Sequence, residues 1–430
     1  METNINDIKR LLETKNSDLA VIIGNGIHLY QKHSMGINYG LDWEGLLLKL
    51  WGNAGNNSLN KIPSGVSYTE FYDVIEMAQS NSYSQSNLFQ KTTHNKDNII
   101  RNLHLSHDAT KILTEQLLSS ADMPSISELS ISRIKDYKKS FTELVKKSKK
   151  ELTKLGIQIE NLDDRECIRT LIKYLSNEGI RKVLTNNIKR EISNTMLAWN
   201  NDKSIYGEGS IIYNITHRLY QLGCPILTTN YDTTFSSALG LKYLKIAPVY
   251  NIYKRLSHYT YAHQGFSDFY AWNGYFGNGD VLNYNPTNCF GVWHINGVIN
   301  YPRSIKLGLC DYMGAVEKAR NMIQGNDGLE LFNGKYRNHW AGENTWLHII
   351  FNKSLLIFGL ALEENEVFLR WLLIQRAKYF AMYRQPHSGW YVITKNEYQK
   401  KPGKIFFLKN IGFKIVIVDS YDDIYRKIWE

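Results

Sequence analysis

The order of apolar and polar positions in the first fifty residues indicates two helices around one buried strand. Residues 4–15 have the spacing of a short amphipathic helix, and Leu19–Ile23 is an unbroken apolar run. The run stops at Gly24-Asn25-Gly26, which is typical of a buried parallel strand that enters a tight turn. Residues 42–50 then place their apolar side chains on one face of a predicted helix.

The same alternation of helix and strand signals returns after residue 210 and continues along the chain. The predicted helices are 211–222, 311–324, 364–380 and a short one from Tyr421, and the predicted strands are 225–229, 291–295, 355–360, 391–394, 405–407 and 414–418. Apolar strands that alternate with helices are typical of a parallel sheet with helices on both faces. The predicted fold class is therefore α/β, with a Rossmann-like doubly wound parallel sheet.

The stretch between these two regions has a different character. Residues 52–65 and 79–97 are rich in small polar residues and read as loops. Helical patterns cover 68–78, 98–119, 126–155 and 163–199, and strand signals are absent between them. We predict a large all-helical insertion at 52–200, so that 1–51 and 201–430 together form the sheet domain.

The composition favours a soluble cytoplasmic protein with no metal site. The chain has 430 residues, of which 43% are hydrophobic, enough for a full core, and it has no uninterrupted apolar run that could span a bilayer. Its first residues lack the basic and then apolar plan of a secretory signal. The four cysteines are isolated and form no Cys-x-x-Cys pair, so neither zinc nor another metal is expected, and we interpret them as small buried hydrophobes.

The net charge of +10 suggests acidic partners, nucleic acid or phosphate-bearing ligands. Much of this charge lies in 133–154, where lysines alternate with apolar residues at helical spacing. Such a segment is either the solvated face of a helix or a nucleic-acid contact. The aromatic-rich segment 257–279 is likewise open to two interpretations: a loop packed by its own side chains, or a lid or partner-binding surface.

Three predicted strand ends carry polar or glycine residues, and such ends meet at one edge of a parallel sheet. The first is Gly24-Asn25-Gly26, which would let the backbone approach a phosphate or would form an ordinary turn. The second is Thr229-Asn230-Tyr231-Asp232, where Asp232 would serve the site or cap the next helix. In the third, His294 and Asn296 would lie on the same strand face, with His294 either structural or an acid/base group.

In their order along the chain, these motifs resemble the sirtuin family, specifically its prokaryotic branch in phage-defence systems. The similar segments are Ile23–Ile27, Thr229–Asp232, His294–Gly297, Tyr301–Gly308 and Leu356–Leu362, the last followed by Glu364, Asn365 and Glu366. The resemblance covers about 1–51 and 205–430. The chain departs from the family in two respects: the zinc-binding cysteines are missing, and Asn296 stands where the family's catalytic histidine precedes the glycine.

The resemblance implies nicotinamide adenine dinucleotide (NAD) as substrate and cleavage of its nicotinamide–ribose bond. It implies catalytic roles for Asn230, Asp232 and His294, and dinucleotide-binding roles for Gly24, Asn25, Gly26, Thr229, Asn296, Gly359, Glu364 and Asn365. The expected function is an NAD glycohydrolase, the effector of an antiviral abortive-infection system. Such an effector must be controlled, so we expect a homo-oligomer, a separately encoded partner, or both. The alternative is a catalytically silent module that binds NAD or ADP-ribose and regulates a partner.

Overall fold

The computed structural model describes most of the predicted sheet domain and parts of the helical region. The described residues are 5–14, 18–36, 43–54, 56–82, 106, 109, 131–154, 163–164, 166–168, 171, 188–197, 202–241, 244–246, 249–251, 254–257, 272–277, 285–325, 330–332, 340–363 and 366–430. The chain divides into two compact units, one formed by 1–50, 58–74 and 189–430 and the other by 51–57 and 75–188.

The first unit contains an eight-stranded, mostly parallel sheet and a separate pair of strands. In chain order, the described strands of both are β1 (Leu19–Ile23), β2 (Ile226–Thr228), β3 (Leu244–Ile246), β4 (Val249–Asn251), β5 (Lys254–Ser257), β6 (Gly274–Phe276), β7 (Val292–His294), β8 (Ser354–Phe358), β9 (Gly389–Thr394) and β10 (Phe413–Val418). The sheet runs β10-β9-β8-β1-β2-β7-β6-β3, and β4 and β5 form a separate antiparallel pair. The first six strands of this order are parallel, whereas β6 is antiparallel to both β7 and β3.

The described residues also form α-helices. Their bounds are α1 (Ile5–Thr14), α2 (Gly26–Met35), α3 (Trp43–Asn53), α4 (Tyr68–Ser82), α5 (Ile131–Lys154), α6 (Lys203–Tyr206), α7 (Ile211–Gln221), α8 (Thr234–Ala238), α9 (Leu309–Gln324), α10 (Trp346–Asn352), α11 (Val367–Tyr383), α12 (Lys395–Lys400) and α13 (Pro402–Asn410). A short 3₁₀ turn lies at Pro302–Ser304 and a π-helical turn at Asp423–Lys427.

The sheet separates two apolar clusters, because successive side chains of a strand point to opposite faces. In β1, Ala20 and Ile22 join a cluster with α9, α10, α11 and α13. Leu19, Val21 and Ile23 join the other cluster, with α1, α2 and α7. All five residues are fully buried, which explains why this strand reads as a continuous apolar run.

The mixed α/β class and the mostly parallel sheet are confirmed, and the predicted strands 225–229, 291–295, 355–360, 391–394 and 414–418 appear with shifted ends. The strand prediction at 405–407 is wrong, since these residues lie inside α13. Strands β3 to β6 were not predicted. In the second unit, the described residues include α5 and form no strand. No described helix is long and apolar enough to cross a membrane.

The cysteines differ in their environments. Cys167 and Cys224 are buried, as interpreted, but Cys289 is only partly buried and Cys310 is exposed. Burial raises the pKa of the Cys224 thiol to about 12. We therefore expect a thiol reagent at pH 8 to label Cys310 in the native protein and Cys224 only after unfolding, as mass spectrometry of the alkylated peptides would show. Native labelling of Cys224 at the rate of Cys310 would contradict the buried position.

Candidate active site at the carboxyl ends of the strands

The sheet register brings the predicted strand ends to one edge. Ile23 of β1 pairs with Thr228 of β2 on one side and with Phe358 of β8 on the other, and Thr228 in turn pairs with His294 of β7. These strands are parallel, so the segments that follow them leave the sheet side by side. The predicted site motifs, some of them more than three hundred residues apart in the sequence, therefore share the carboxyl edge of the sheet.

Asn230 lies at the centre of this edge and is 6% exposed. Its backbone N–H donates to the Thr228 hydroxyl, which donates to the carbonyl of Ile23 (both 3.0 Å). Its side-chain amide lies 3.5 Å from the carbonyl of Gly24, a long contact that leaves the amide weakly held. The structure therefore positions Asn230 through its backbone, and the side-chain amide is available to orient another group.

His294 is fixed by the same residue. Its Nδ1 lies 3.0 Å from the carbonyl of Asn230, and because a carbonyl can only accept, Nδ1 carries the proton. Burial lowers the pKa of His294, although this hydrogen bond and the Asp232 charge oppose the shift. The neutral imidazole is thus favoured, with Nε2 as the acceptor nitrogen. The ring of Phe276 meets that of His294 edge-on at 5.6 Å.

Asp232 forms a buried pair with His28, a residue that the sequence predictions did not place in the site. The distance from His28 Nε2 to Asp232 Oδ2 is 2.9 Å, and both residues are less than a tenth exposed. The other carboxylate oxygen accepts the backbone N–H of Thr234 at 3.1 Å and also its hydroxyl. Burial raises the pKa of Asp232, but His28 and Thr234 outweigh it and hold that pKa well below its usual range.

Asp232 makes the contact with the next helix that one interpretation predicted, whereas its part in a functional site stays a prediction. One carboxylate oxygen accepts a hydrogen bond from the backbone N–H of Thr234 at the start of α8, as a capping residue does. The other oxygen orients the imidazole of His28, which lies in the first turn of α2. His28 follows Gly26 by two residues, but its pairing with Asp232 spans 204 positions, so only the folded chain reveals it. Asp232 is therefore best described as a positioning residue for His28.

The glycine turn after β1 is packed against the end of β8. A Cβ on Gly24 would lie 2.6 Å from the carbonyl oxygen of Gly359, and one on Gly26 would lie 2.5 Å from the Tyr425 hydroxyl. The N–H of Gly26 donates to the carbonyl of Gly359 (2.8 Å). These glycines are thus required for close backbone packing, the ordinary structural role. Asn25 is exposed at the tip of the turn.

The β7 exit differs from the sequence expectation. The strand ends at His294, and Asn296 lies in the turn that follows, so the premise that both lie on one face of a strand is wrong. Asn296 is 6% exposed, and its amide has no hydrogen-bond partner among the described residues. Gly297 adopts φ +94°, which lets the chain turn sharply. Thr229 extends the ladder, its N–H donating to Ile23 at 3.2 Å.

Some predicted residues lie elsewhere. Glu364 and Asn365 are outside the described residues, as is most of the aromatic-rich segment, of which Tyr275 and Phe276 are buried in β6. A polar pocket of about 450 Å³ lies beyond the end of β10 and is lined by Tyr30, Ser34, Ser420, Tyr421, Asp422 and Arg426. Within the described part of the chain, no three His, Cys, Asp or Glu residues are grouped to hold a metal.

No protein-family model and no curated protein matches this sequence.

Proposed function

We propose that the chain is an NAD glycohydrolase that cleaves the nicotinamide–ribose bond and releases ADP-ribose. The observation that carries the proposal is the meeting of Asn230, His294 and the His28–Asp232 pair at one sheet edge. Cleavage of this bond passes through an oxocarbenium-like state, and nicotinamide leaves as a neutral ring. The site must therefore orient the ribose and a water molecule and tolerate positive charge, rather than supply a strong acid.

The strand order supports a dinucleotide as the ligand. Numbered in chain order, the six parallel strands β1, β2, β7, β8, β9 and β10 lie in the order 3-2-1-4-5-6. This is the order of doubly wound Rossmann sheets, which bind dinucleotides at the carboxyl edge where the order reverses. We accordingly propose a Rossmann-like domain from 1–51 and 201–430 with a helical insertion at 52–200.

Each polar residue has a defined part in the proposed reaction. The Asn230 amide would orient the attacking water or a ribose hydroxyl, since an amide cannot act as a base. The neutral His294 would accept a proton through Nε2, the nitrogen left as acceptor by its bond to Asn230. The negative charge of Asp232 would favour the positive charge that develops on the ribose. His28, which is paired with Asp232, would lie between the carboxylate and the ribose. The Asn296 amide would contact the nicotinamide ribose.

Asn230→Ala is the direct test. We expect nicotinamide release, measured on the full-length protein with any partner and trigger supplied, to fall about 10²–10³-fold, as when an orienting donor is lost. Thermal stability should change little because the 3.5 Å side-chain contact is weak. Asn410→Ala is the matched control, since Asn410 is exposed at the end of α13. Unchanged turnover in Asn230→Ala would remove this residue from the site.

The replacement of the family histidine by Asn296 favours a second candidate, a silent module that binds NAD or ADP-ribose. The same assay on wild type, His294→Ala and Asn296→His separates the two candidates. A glycohydrolase releases nicotinamide and loses this activity in His294→Ala. A silent module binds ADP-ribose but releases nothing, and Asn296→His would be the variant most apt to gain turnover.

The cellular setting follows from the proposed activity. A cytoplasmic NAD hydrolase in antiviral defence needs control, so we propose a homo-oligomer or a separately encoded partner. A nucleic-acid contact through α5 ranks last, although α5 is helical over Ile131–Lys154 as predicted, because no recognition motif accompanies its charge. Such a contact would weaken steeply with salt.

A further inference from the structure

Lys306 is attached to the ends of β2 and β7 at three points. Its backbone N–H donates to the carbonyl of Asn296 (2.9 Å), and its carbonyl accepts the Tyr231 hydroxyl (2.6 Å). Its ammonium donates to the carbonyl of Ile295, the residue between His294 and Asn296. The fold therefore delivers a lysine ammonium directly to the exit of β7, beside the candidate catalytic residues.

Lys306 and a second lysine, Lys318, both lie near the ring of Trp272. The ammonium nitrogens of Lys306 and Lys318, the latter on α9, lie 5.8 Å and 4.8 Å from the centre of the Trp272 ring. The Phe368 ring lies 5.9 Å from Lys306. Burial lowers the pKa of both amines, to about 7 for Lys306. Aromatic faces attract cations, but they do not neutralise the charge.

Neither amine has a carboxylate partner within the described part of the chain. The acid that influences Lys306 is Asp311, which already accepts the Lys189 ammonium at 2.8 and 2.9 Å and the N–H of Leu307 at 3.0 Å. Among the described residues, the exit of β7 therefore has two lysines near it and no carboxylate that forms an ion pair with either. Lys306 is partly buried and Lys318 is exposed, so an anion that binds here would gain electrostatic attraction and charge-assisted hydrogen bonds from both ammonium groups.

We propose that Lys306 and Lys318, both near the Trp272 ring, form an anion-binding subsite for a phosphoryl group of the nucleotide substrate. The identity of the ligand, a dinucleotide pyrophosphate, rests on the proposed function. The turn after β1 was expected to contact a phosphate, but Gly24 and Gly26 pack closely against Gly359 and Tyr425. We therefore assign the phosphate contact to the two lysines instead of to this turn.

Binding at this subsite should be accompanied by proton uptake. Near pH 8 the Lys306 amine is mostly neutral, and an anion favours its protonated form, so the complex takes up a proton that the free protein lacks. The titratable groups around it are Asp311 and Lys318 from α9, Lys189, Tyr231 after β2, and Glu366 at the start of α11. At pH 6 the amine is already charged, and uptake should disappear.

Calorimetry on the full-length protein tests the subsite, with ADP-ribose and inorganic pyrophosphate as probes in two buffers of different ionisation enthalpy. We expect Lys306→Met and Lys318→Met each to weaken ADP-ribose binding about 10–100-fold, the loss of a charged hydrogen-bond partner. Lys306→Arg should keep most of the affinity but lose proton uptake at pH 8, since arginine stays protonated. Lys414→Met is the control, because Lys414 is an exposed lysine at the start of β10 whose ammonium lies 5.4 Å from the centre of the Trp390 ring.

The outcomes separate this subsite from the proposed reaction. If both methionine variants bind ADP-ribose and pyrophosphate more weakly than wild type, the result supports a contact between the lysines and a phosphoryl group. If they bind only ADP-ribose more weakly, the lysines contact the nucleoside instead, and the proposal is overturned. Equal binding by wild type and both methionine variants overturns it as well, as does a wild type that binds neither probe. If binding depends on the lysines but no nicotinamide is released, the subsite stands and the glycohydrolase proposal fails.

Discussion

Gly297→Ala is expected to lower the free energy of unfolding by about 2–6 kcal/mol. An alanine at φ +94° would be strained, at about 1–3 kcal/mol. Its Cβ would also lie 2.1 Å from the carbonyl oxygen of Ser304, a backbone atom that cannot turn aside. Overpacking of this kind adds about 1–3 kcal/mol. Denaturant unfolding followed by tryptophan fluorescence measures the change.

The matched control for Gly297 is Gly314, inside α9, where a Cβ would meet nothing within 4 Å. Gly314→Ala should stabilise the protein by about 0.5–1 kcal/mol, because alanine favours a helix interior. Equal responses of the two variants would contradict the sharp turn at the β7 exit. The turn also sets Asn296 beside Lys306, so a folded Gly297→Ala protein should lose ligand affinity as well as stability.

The positions of the parallel strands were accessible from the sequence because these strands are mostly buried on both faces. Leu19–Ile23 illustrates this, since its five residues are fully buried and give an unbroken apolar run. The run at 405–407 misled for a related reason: an isoleucine and two phenylalanines also suit a strand. In α13 they follow helical spacing instead, with Ile405 and Leu408 buried, Phe406 exposed, and Pro402 at the helix start.

From the sequence, the candidate site could be predicted only as a group of strand ends that meet at one edge of the sheet. Asn230, Asp232 and His294 could be placed at one edge because parallel strands end together. The His28–Asp232 pair could not, since a contact across 204 positions leaves no local pattern. Lys306 was hidden for the same reason: its surroundings depend on Trp272, which comes from a different part of the chain.

Asp232→Ala is expected to lower the free energy of unfolding by about 3–5 kcal/mol, the range for removing one member of a buried polar pair. The variant leaves the imidazole of His28 and two donors of Thr234 without their acceptor. Glu363→Gln is the control: it removes a carboxylate from an exposed ion pair with Lys401 and should change stability by about 1 kcal/mol or less. A loss no larger than in this control would contradict the buried pairing.

The pH dependence of Asp232→Asn supplies a second measurement that packing alone would not alter. The folded-state pKa of Asp232 lies well below that of the unfolded chain, about 3.9, so its ionisation stabilises the fold above that pH. This stability is lost as the pH falls below about 4, at up to about 1.4 kcal/mol per pH unit. The unfolding free energy of wild type should therefore fall more steeply between pH 5 and pH 2 than that of Asp232→Asn. Parallel curves would show that the carboxylate is not ionised in the folded protein, and His28 would then lack the charge that orients it.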